Sequence, residues 1–320
     1  MIGVIGSGSW GTAIVKILLE KENREINWWV RSKEVEQSLK KWGRNSHHLS
    51  GLHFDKTRIH PSSNITETVS ESDLLIVAVP SAYIASCLDG LDRHAFDQHS
   101  IASAVKGYVP ETGCSVSQYM QSVWGVKPDR MCVVSGPSHA EEVAAGQCTF
   151  LDVASYNTDL ATRVADALRC SYVHCSTGSD VATLELCGLG KNVYAIGAGI
   201  ASALGHGDNL CAVLTAAAAH ELQNLTGCIT PTFPLLGDLV VTCFSQHSRN
   251  RALGQAVVSG IAPEEHFRRT GMVAEGYYSA LAMHNMANNA PTPIAEAIYR
   301  ILYQCSDPKT EMQYLIDNIF

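Results

Sequence analysis

Gly6-Ser7-Gly8-Ser9-Trp10-Gly11 spaces three glycines as G-x-G-x-x-G between a short apolar run and an amphipathic one, within the first twenty residues of the chain. Met1, Ile2, Val4 and Ile5 before it read as a strand. Ala13, Ile14, Ile17 and Leu18 after it fall at helical spacing, with Lys16, Glu20 and Lys21 between them. In such a strand–turn–helix unit Gly6 allows the tight turn, Gly8 lets the main chain approach a pyrophosphate, and Gly11 lets helix pack on strand. The helix start then presents N–H groups and a partial positive charge to phosphates. The motif therefore predicts a dinucleotide-binding α/β domain at the head of the chain.

The end of the second strand bears on which dinucleotide. Ile26-Asn27-Trp28-Trp29-Val30 reads as that strand, and Arg31 follows where an NAD-selective site usually carries Asp or Glu for the ribose hydroxyl. A guanidinium there suits a 2′-phosphate. Lys33 lies two positions on, but Glu34 and Glu36 are also near, so the loop is either a phosphate subsite or ordinary solvated surface. NADPH is slightly favoured over NADH.

At 320 residues the chain is long enough for two domains with ample core. Its 23 Lys plus Arg against 31 Asp plus Glu give no basic surface for nucleic acid or an anionic membrane. The eleven cysteines lie singly, without metal-ligand spacing, and read as buried, reduced thiols of a cytosolic protein; no metal is predicted. No charged-then-apolar leader precedes the first strand, so a secretory signal is not expected. The apolar run from Val193 to Leu204 is too short to span a bilayer and reads as a core helix.

Further strand candidates end at recognisable features: 73–79 at Val79-Pro80-Ser81, 100–105 at Val105-Lys106-Gly107, and 130–134 at Ser135-Gly136-Pro137-Ser138. Two more cover 148–153 and 172–175. Strands alternating with helices imply a doubly wound parallel sheet, with ligands at the carboxyl ends of its strands. Beyond Ser176-Thr177-Gly178-Ser179 the pattern is almost entirely helical. The predicted division is 1–178, a Rossmann-like dinucleotide-binding domain, and 179–320, a helical substrate and catalytic domain.

In the second part, Lys191 and Asn192 interrupt an apolar helical stretch lined with small residues. Either the ammonium snorkels outward or it is buried with a task, in which case its pKa is lowered toward neutrality. Asp238, between apolar residues in Leu236-Gly237-Asp238-Leu239, is either a turn or cap residue or a carboxylate bonded to a lysine or a substrate hydroxyl. Ser248-Arg249-Asn250-Arg251 at the head of a helix is either a capped helix with solvated arginines or a phosphate-monoester site of two guanidiniums, a hydroxyl, an amide and main-chain N–H groups.

Taken together, Gly6 to Ala13, Val105-Lys106-Gly107, Ser135 to Ala140, Lys191 to Gly199, Leu236 to Val240, Ser248 to Arg251 and Val273-Ala274-Glu275-Gly276-Tyr277 resemble the bacterial type of NAD(P)-dependent sn-glycerol-3-phosphate dehydrogenases. The blocks run in order along nearly the whole chain. The resemblance implies a Rossmann-like first domain and an all-helical second one, and reduction of dihydroxyacetone phosphate to sn-glycerol 3-phosphate for phospholipid synthesis. It also implies that Ser9, Trp10, Arg31, Lys106, Ala140, Arg249, Val273 and Glu275 meet the cofactor. Lys106, Gly136, Ser138, Lys191, Asp238, Ser248, Arg249 and Asn250 would surround the substrate, with Asn192 adding a contact. Lys191 would be the proton donor and acceptor, supported by Lys106 and Asp238. Cys211 and Ala217 stand where many members carry arginine, which puts local salt bridges on that helix in doubt. A homodimer is the base-rate expectation. Two alternatives stay open: a ketopantoate reductase-like or 6-phosphogluconate dehydrogenase-like enzyme, and a non-catalytic NADPH-binding sensor.

Overall fold

The structure, a computed structural model, describes residues 1–228, 231–286 and 291–319. Eight strands form one sheet: β1 Ile2–Ile5, β2 Ile26–Trp29, β3 Ile59–Ser62, β4 Leu74–Val77, β5 Ser100–Ser103, β8 Met131–Ser135, β9 Thr149–Ser155 and β10 Val173–Gly178. A separate antiparallel hairpin pairs β6 Tyr108–Val109 with β7 Cys114–Ser115. The sheet order is β10-β9-β8-β5-β4-β1-β2-β3, parallel throughout except for β8 against β9. Strand order reverses at β1, which lies between β4 and β2. In open α/β sheets that crevice, at the carboxyl ends of the strands, is where ligands bind.

Three strands escaped the sequence pattern for physical reasons. β3 is an edge strand carrying Pro61, a residue that central strands exclude, so its short run reads as loop. The hairpin strands are two residues each, below the length at which alternation can be seen.

The chain forms two compact units, Met1–Val105 with Val116–Leu184 and Lys106–Ser115 with Glu185–Phe320. The second is helical apart from the hairpin, which a linear division near residue 178 assigns to the first. The first unit's core is largely aliphatic, with Val4, Ile14, Ile17, Leu18, Ile26 and Ile76 buried together with Trp28 and Phe54. The second is built around helix Val181–Ala203, whose Leu189, Val193, Tyr194, Ile196 and Ile200 are inaccessible to solvent. A helix apolar on every side is a central one. Glycines let its neighbours reach its backbone. A Cβ on Gly199 would collide with Arg251 O and one on Gly254 with Ile196 O, so helix Arg249–Val258 crosses it in main-chain contact. A Cβ on Gly276 would likewise strike Asn192 O, which fixes the start of helix Glu275–Met286.

The cysteines correct one expectation. All eleven are unpaired, but Cys132, Cys187, Cys211 and Cys243 alone are buried, while Cys148 and Cys305 are exposed. Among the described residues no helix is long and apolar enough to cross a membrane. No group of three or more His, Cys, Asp or Glu there is placed to hold a metal ion.

Candidate active site

The glycine loop of the first unit is shaped from within. Gly6 has φ +130°, a conformation L side chains avoid, and a Cβ there would lie 2.6 Å from Ala78 O, just past β4. A Cβ on Gly11 would collide with Gly6 O. Trp28, buried in β2, donates its Nε1–H to that same carbonyl at 2.8 Å. Gly8 differs: a Cβ there would meet nothing within 4 Å. It caps helix Ser9–Leu19 without a side-chain hydrogen bond, so the first-turn N–H groups carry no side-chain cap. Trp10 Nε1 is buried with no hydrogen-bond partner. An open face at Gly8, an uncapped helix start and an orphaned indole N–H fit a dinucleotide phosphate group.

Two residues that the motif does not contain complete the loop. Asn45, fully buried, donates to Ser7 O at 2.8 Å and to Thr12 Oγ1 at 2.9 Å, while its Oδ1 accepts from the N–H groups of His47 and His48. His48 Nδ1 thereby lies 3.4 Å from Ser9 Oγ. Neither has a local signal, because each lies over thirty residues from the loop it serves. Arg31 is exposed, follows β2 and precedes Ser32, the side-chain cap of helix Lys33–Trp42, with its guanidinium 5.9 Å from the centre of the Tyr83 ring. At the end of β8, Gly136 has φ +130° and lies so close to Phe150 O that no side chain fits. Ser138 Oγ donates to Gly136 O, and Ala140 begins the short helix Ala140–Ala144.

In the second unit Lys191, 7% exposed, is buried with its Nζ donating to Asp238 Oδ1 at 2.5 Å and to Thr242 Oγ1 at 3.2 Å. Asp238 and Thr242 are i and i+4 on helix Phe233–Phe244, hence on one face. The other oxygen, Asp238 Oδ2, accepts from Lys106 Nζ at 2.9 Å. One carboxylate thus bridges two ammoniums. Burial pushes the Lys191 pKa down to about 7, against the pull of Asp238 and with the help of Lys106. Burial would raise Asp238, but the two lysines outweigh it and hold it below the usual carboxylate range. Lys191 is therefore not a snorkelling lysine, and Asp238 is not a turn residue.

Asn192 points elsewhere. Its Nδ2 donates to Lys106 O at 2.7 Å and Gly188 O at 3.0 Å, and its Oδ1 accepts from Asn250 Nδ2 at 2.8 Å. Asn250 Oδ1 accepts from Gly276 N at 2.9 Å. Ser248 caps helix Arg249–Val258, accepting from Arg251 N at 3.3 Å. Arg249 is exposed at the helix start. Arg251 serves the fold, donating to Phe244 O and Ser202 Oγ, so one guanidinium rather than two stands clear at this end. Val273 is half-buried, and Glu275 opens helix Glu275–Met286. Cys211 is buried and Ala217 half-buried on helix Asp208–Thr226. One turn beyond Ala217, Glu221 is bonded to the main-chain N–H groups of Ile294 and Ala295 and to Tyr194 OH.

A dinucleotide-type glycine loop in the first unit and a buried lysine bonded to a carboxylate in the second each fit a nicotinamide-dependent dehydrogenase. Residues 1–161 match the family model for the NAD-dependent glycerol-3-phosphate dehydrogenase N-terminus and residues 180–313 that for its C-terminus. The chain belongs to the NAD-dependent glycerol-3-phosphate dehydrogenase family. It is 36% identical to glycerol-3-phosphate dehydrogenase [NAD(P)+] of Syntrophomonas wolfei, over 98% of this chain and 94% of that one. The crystal structure of glycerol-3-phosphate dehydrogenase from Coxiella burnetii superposes with a TM-score of 0.89 at 27% identity, covering 99% of this chain and 98% of that one. A 2-dehydropantoate 2-reductase from Geobacter metallireducens shares the fold alone, with a TM-score of 0.60 at 13% identity over 95% of this chain and 99% of that one.

Proposed function

We propose that the chain catalyses reversible hydride transfer between NAD(P)H and dihydroxyacetone phosphate, giving sn-glycerol 3-phosphate, with Lys191 as proton donor and acceptor. As a family member it is an NAD(P)-dependent oxidoreductase acting on a CH–OH group. The observation that carries the residue roles is the Lys191–Asp238–Lys106 bridge. A lysine with a pKa near 7 can give a proton in one direction and take it in the other.

Gly6, Gly8, Ser9, Trp10, Gly11 and Ala140 of the first unit, with Arg31 at a 2′-phosphate, would hold the dinucleotide. When bound, the nicotinamide supplies or accepts the hydride at the ketone carbon. As charge develops on the carbonyl oxygen, the Lys191 ammonium stabilises it and donates one proton, becoming the amine. Lys106 adds positive charge to the same centre. Asp238 holds both ammoniums in place and keeps Lys191 from losing its proton too readily. Ser248, Arg249 and the N-terminus of helix Arg249–Val258 take the substrate phosphate, remote from the reacting carbon, and so orient a small ketone.

The test is NADPH oxidation by the purified protein with dihydroxyacetone phosphate, beside glycerone and ketopantoate, with NADH in parallel. Turnover confined to the phosphorylated ketone is the expected result, with NADPH slightly preferred. Ketopantoate turnover, or NADPH binding without turnover of any of the three, overturns the reading.

A further inference from the structure

We propose that Asn192 is a positioning residue that fixes the main chain of Lys106, oriented by Asn250 and assisted by the Ser115–Glu185 hydrogen bond at the far end of the same hairpin. The proposal rests on the function above and gives Asn192 a task other than touching substrate.

An amide nitrogen carries two hydrogens, and both of Asn192's have acceptors, Lys106 O and Gly188 O. The orientation is forced rather than chosen. Turning the amide over would set its oxygen against two carbonyl oxygens. The same conclusion follows from the other end: Gly276 N can only donate, so it takes Asn250 Oδ1, which leaves Asn250 Nδ2 to donate to Asn192 Oδ1. Main-chain groups of fixed polarity thus terminate the two-amide chain at both ends. Asn192 and Asn250 are 4% and 7% exposed, so water competes weakly for these bonds.

The object being held is residues 106–115. The chain on either side of this segment, up to Val105 and from Val116, belongs to the other compact unit, so the hairpin needs its own fastening in the second. It has one at each end. Asn192 grips Lys106 O, and buried Glu185 accepts from Ser115 Oγ at 2.6 Å. Glu185 and Asn192 are two turns apart on helix Val181–Ala203, so they share the face on which the hairpin lies. Lys106 extends from the gripped carbonyl's residue to Asp238, and the position of its Cα sets whether one carboxylate spans both lysines.

Asn192→Asp is nearly isosteric: it removes both donors and keeps the oxygen that faces Asn250. We expect kcat with dihydroxyacetone phosphate to fall about 100-fold while KM stays within about threefold. Ser115→Ala, remote from the charged cluster, is expected to lower kcat about threefold to tenfold at unchanged KM. Hydrogen exchange of amides 107–115 in the ligand-free protein should rise at least about tenfold in both variants. A KM increase of about tenfold or more with kcat retained in Asn192→Asp identifies a direct substrate ligand and overturns the proposal. So does a Ser115→Ala protein with unchanged kcat and unchanged exchange, the deciding result if Asn192→Asp does not fold. If the wild type fails to turn over the ketone, the functional reading falls by itself. Exchange across 107–115 in Ser115→Ala still decides the grip, unchanged exchange overturning it.

Discussion

The glycine loop of the first unit and the lysine cluster of the second are built from different materials. The loop is main chain: six consecutive residues whose function depends on which positions lack a Cβ, with Gly6 and Gly11 closed against neighbouring backbone and Gly8 left open. The cluster is side-chain charge, drawn from a hairpin segment, a central helix and a second helix at positions 106, 191 and 238. Geometry is paid for locally in the first case, whereas in the second buried charges must be matched across the fold, and a single unmatched ammonium would cost several kcal/mol. The two should fail differently: the loop through affinity or folding, the cluster through turnover.

The largest expected effect belongs to the cluster. Lys191→Met removes the proposed acid and its charge but leaves Asp238 paired with Lys106. Turnover should fall about 10⁴-fold or more, with NADPH affinity changed less than about threefold. A variant keeping more than about a tenth of the rate in stopped-flow single turnovers would refute the proton-transfer role. For the loop, Gly8→Ala meets no atom of the protein, so its melting temperature should match wild type while NADPH binding weakens about 100-fold by calorimetry. Gly11→Ala should instead lose about 3 kcal/mol of stability, because its Cβ collides with Gly6 O. Equal melting temperatures for the two variants would erase the distinction between an open and a closed glycine. Smaller still is the effect of Arg249→Ala, expected to raise KM for dihydroxyacetone phosphate about 30-fold and leave phosphate-free glycerone unaffected. Similar losses on both substrates would deny it the phosphate.

How much of this could be read from the residues follows the same division. The strand–turn–helix, its glycines and the strands of the sheet core are local patterns, and they were legible. Arg31, Lys191, Asp238 and the Ser248–Arg251 segment stood out by residue type and position and Lys106 by its strand end, and family resemblance then gave each a role. Their partners did not stand out: nothing at Asn192 announces Lys106 O, and nothing at Asn45 announces Ser7 O, since a hydrogen bond across such separations leaves no period in the sequence. The hairpin's membership in the second unit was hidden for a related reason, because its strands are too short to register. Arg251 shows the converse error, where a cluster suggestive of two phosphate-binding guanidiniums holds one that serves helix packing.

Burial moves two groups in this unit toward neutrality from opposite sides, and the contrast separates function from structure. Lys191 comes down to about 7, so its ammonium is lost as pH rises through that value. In the reducing direction kcat/KM should fall about tenfold per unit above pH 7, and in the oxidising direction it should rise up to pH 7 and level off. A flat reducing profile between pH 6 and 9 would remove Lys191 from the proton's path. Glu221 comes up to about 7 because burial outweighs the hydrogen bonds from Ile294 N, Tyr194 OH and Ala295 N. It accepts from the main-chain N–H groups at the start of helix Pro293–Tyr303. With its folded pKa above the unfolded value, the native state binds the extra proton between about pH 4.5 and 7, so stability is full below that window and lost as pH rises through it. Glu221→Gln cannot ionise, but it replaces one acceptor oxygen with an amide nitrogen. The variant should therefore be less stable than wild type by about 1 kcal/mol at pH 5 and more stable by about 1 kcal/mol at pH 8 in urea titrations. An offset of one sign at both pH values would mean that the carboxylate stays ionised throughout, held by the helix N-terminus more strongly than burial opposes it.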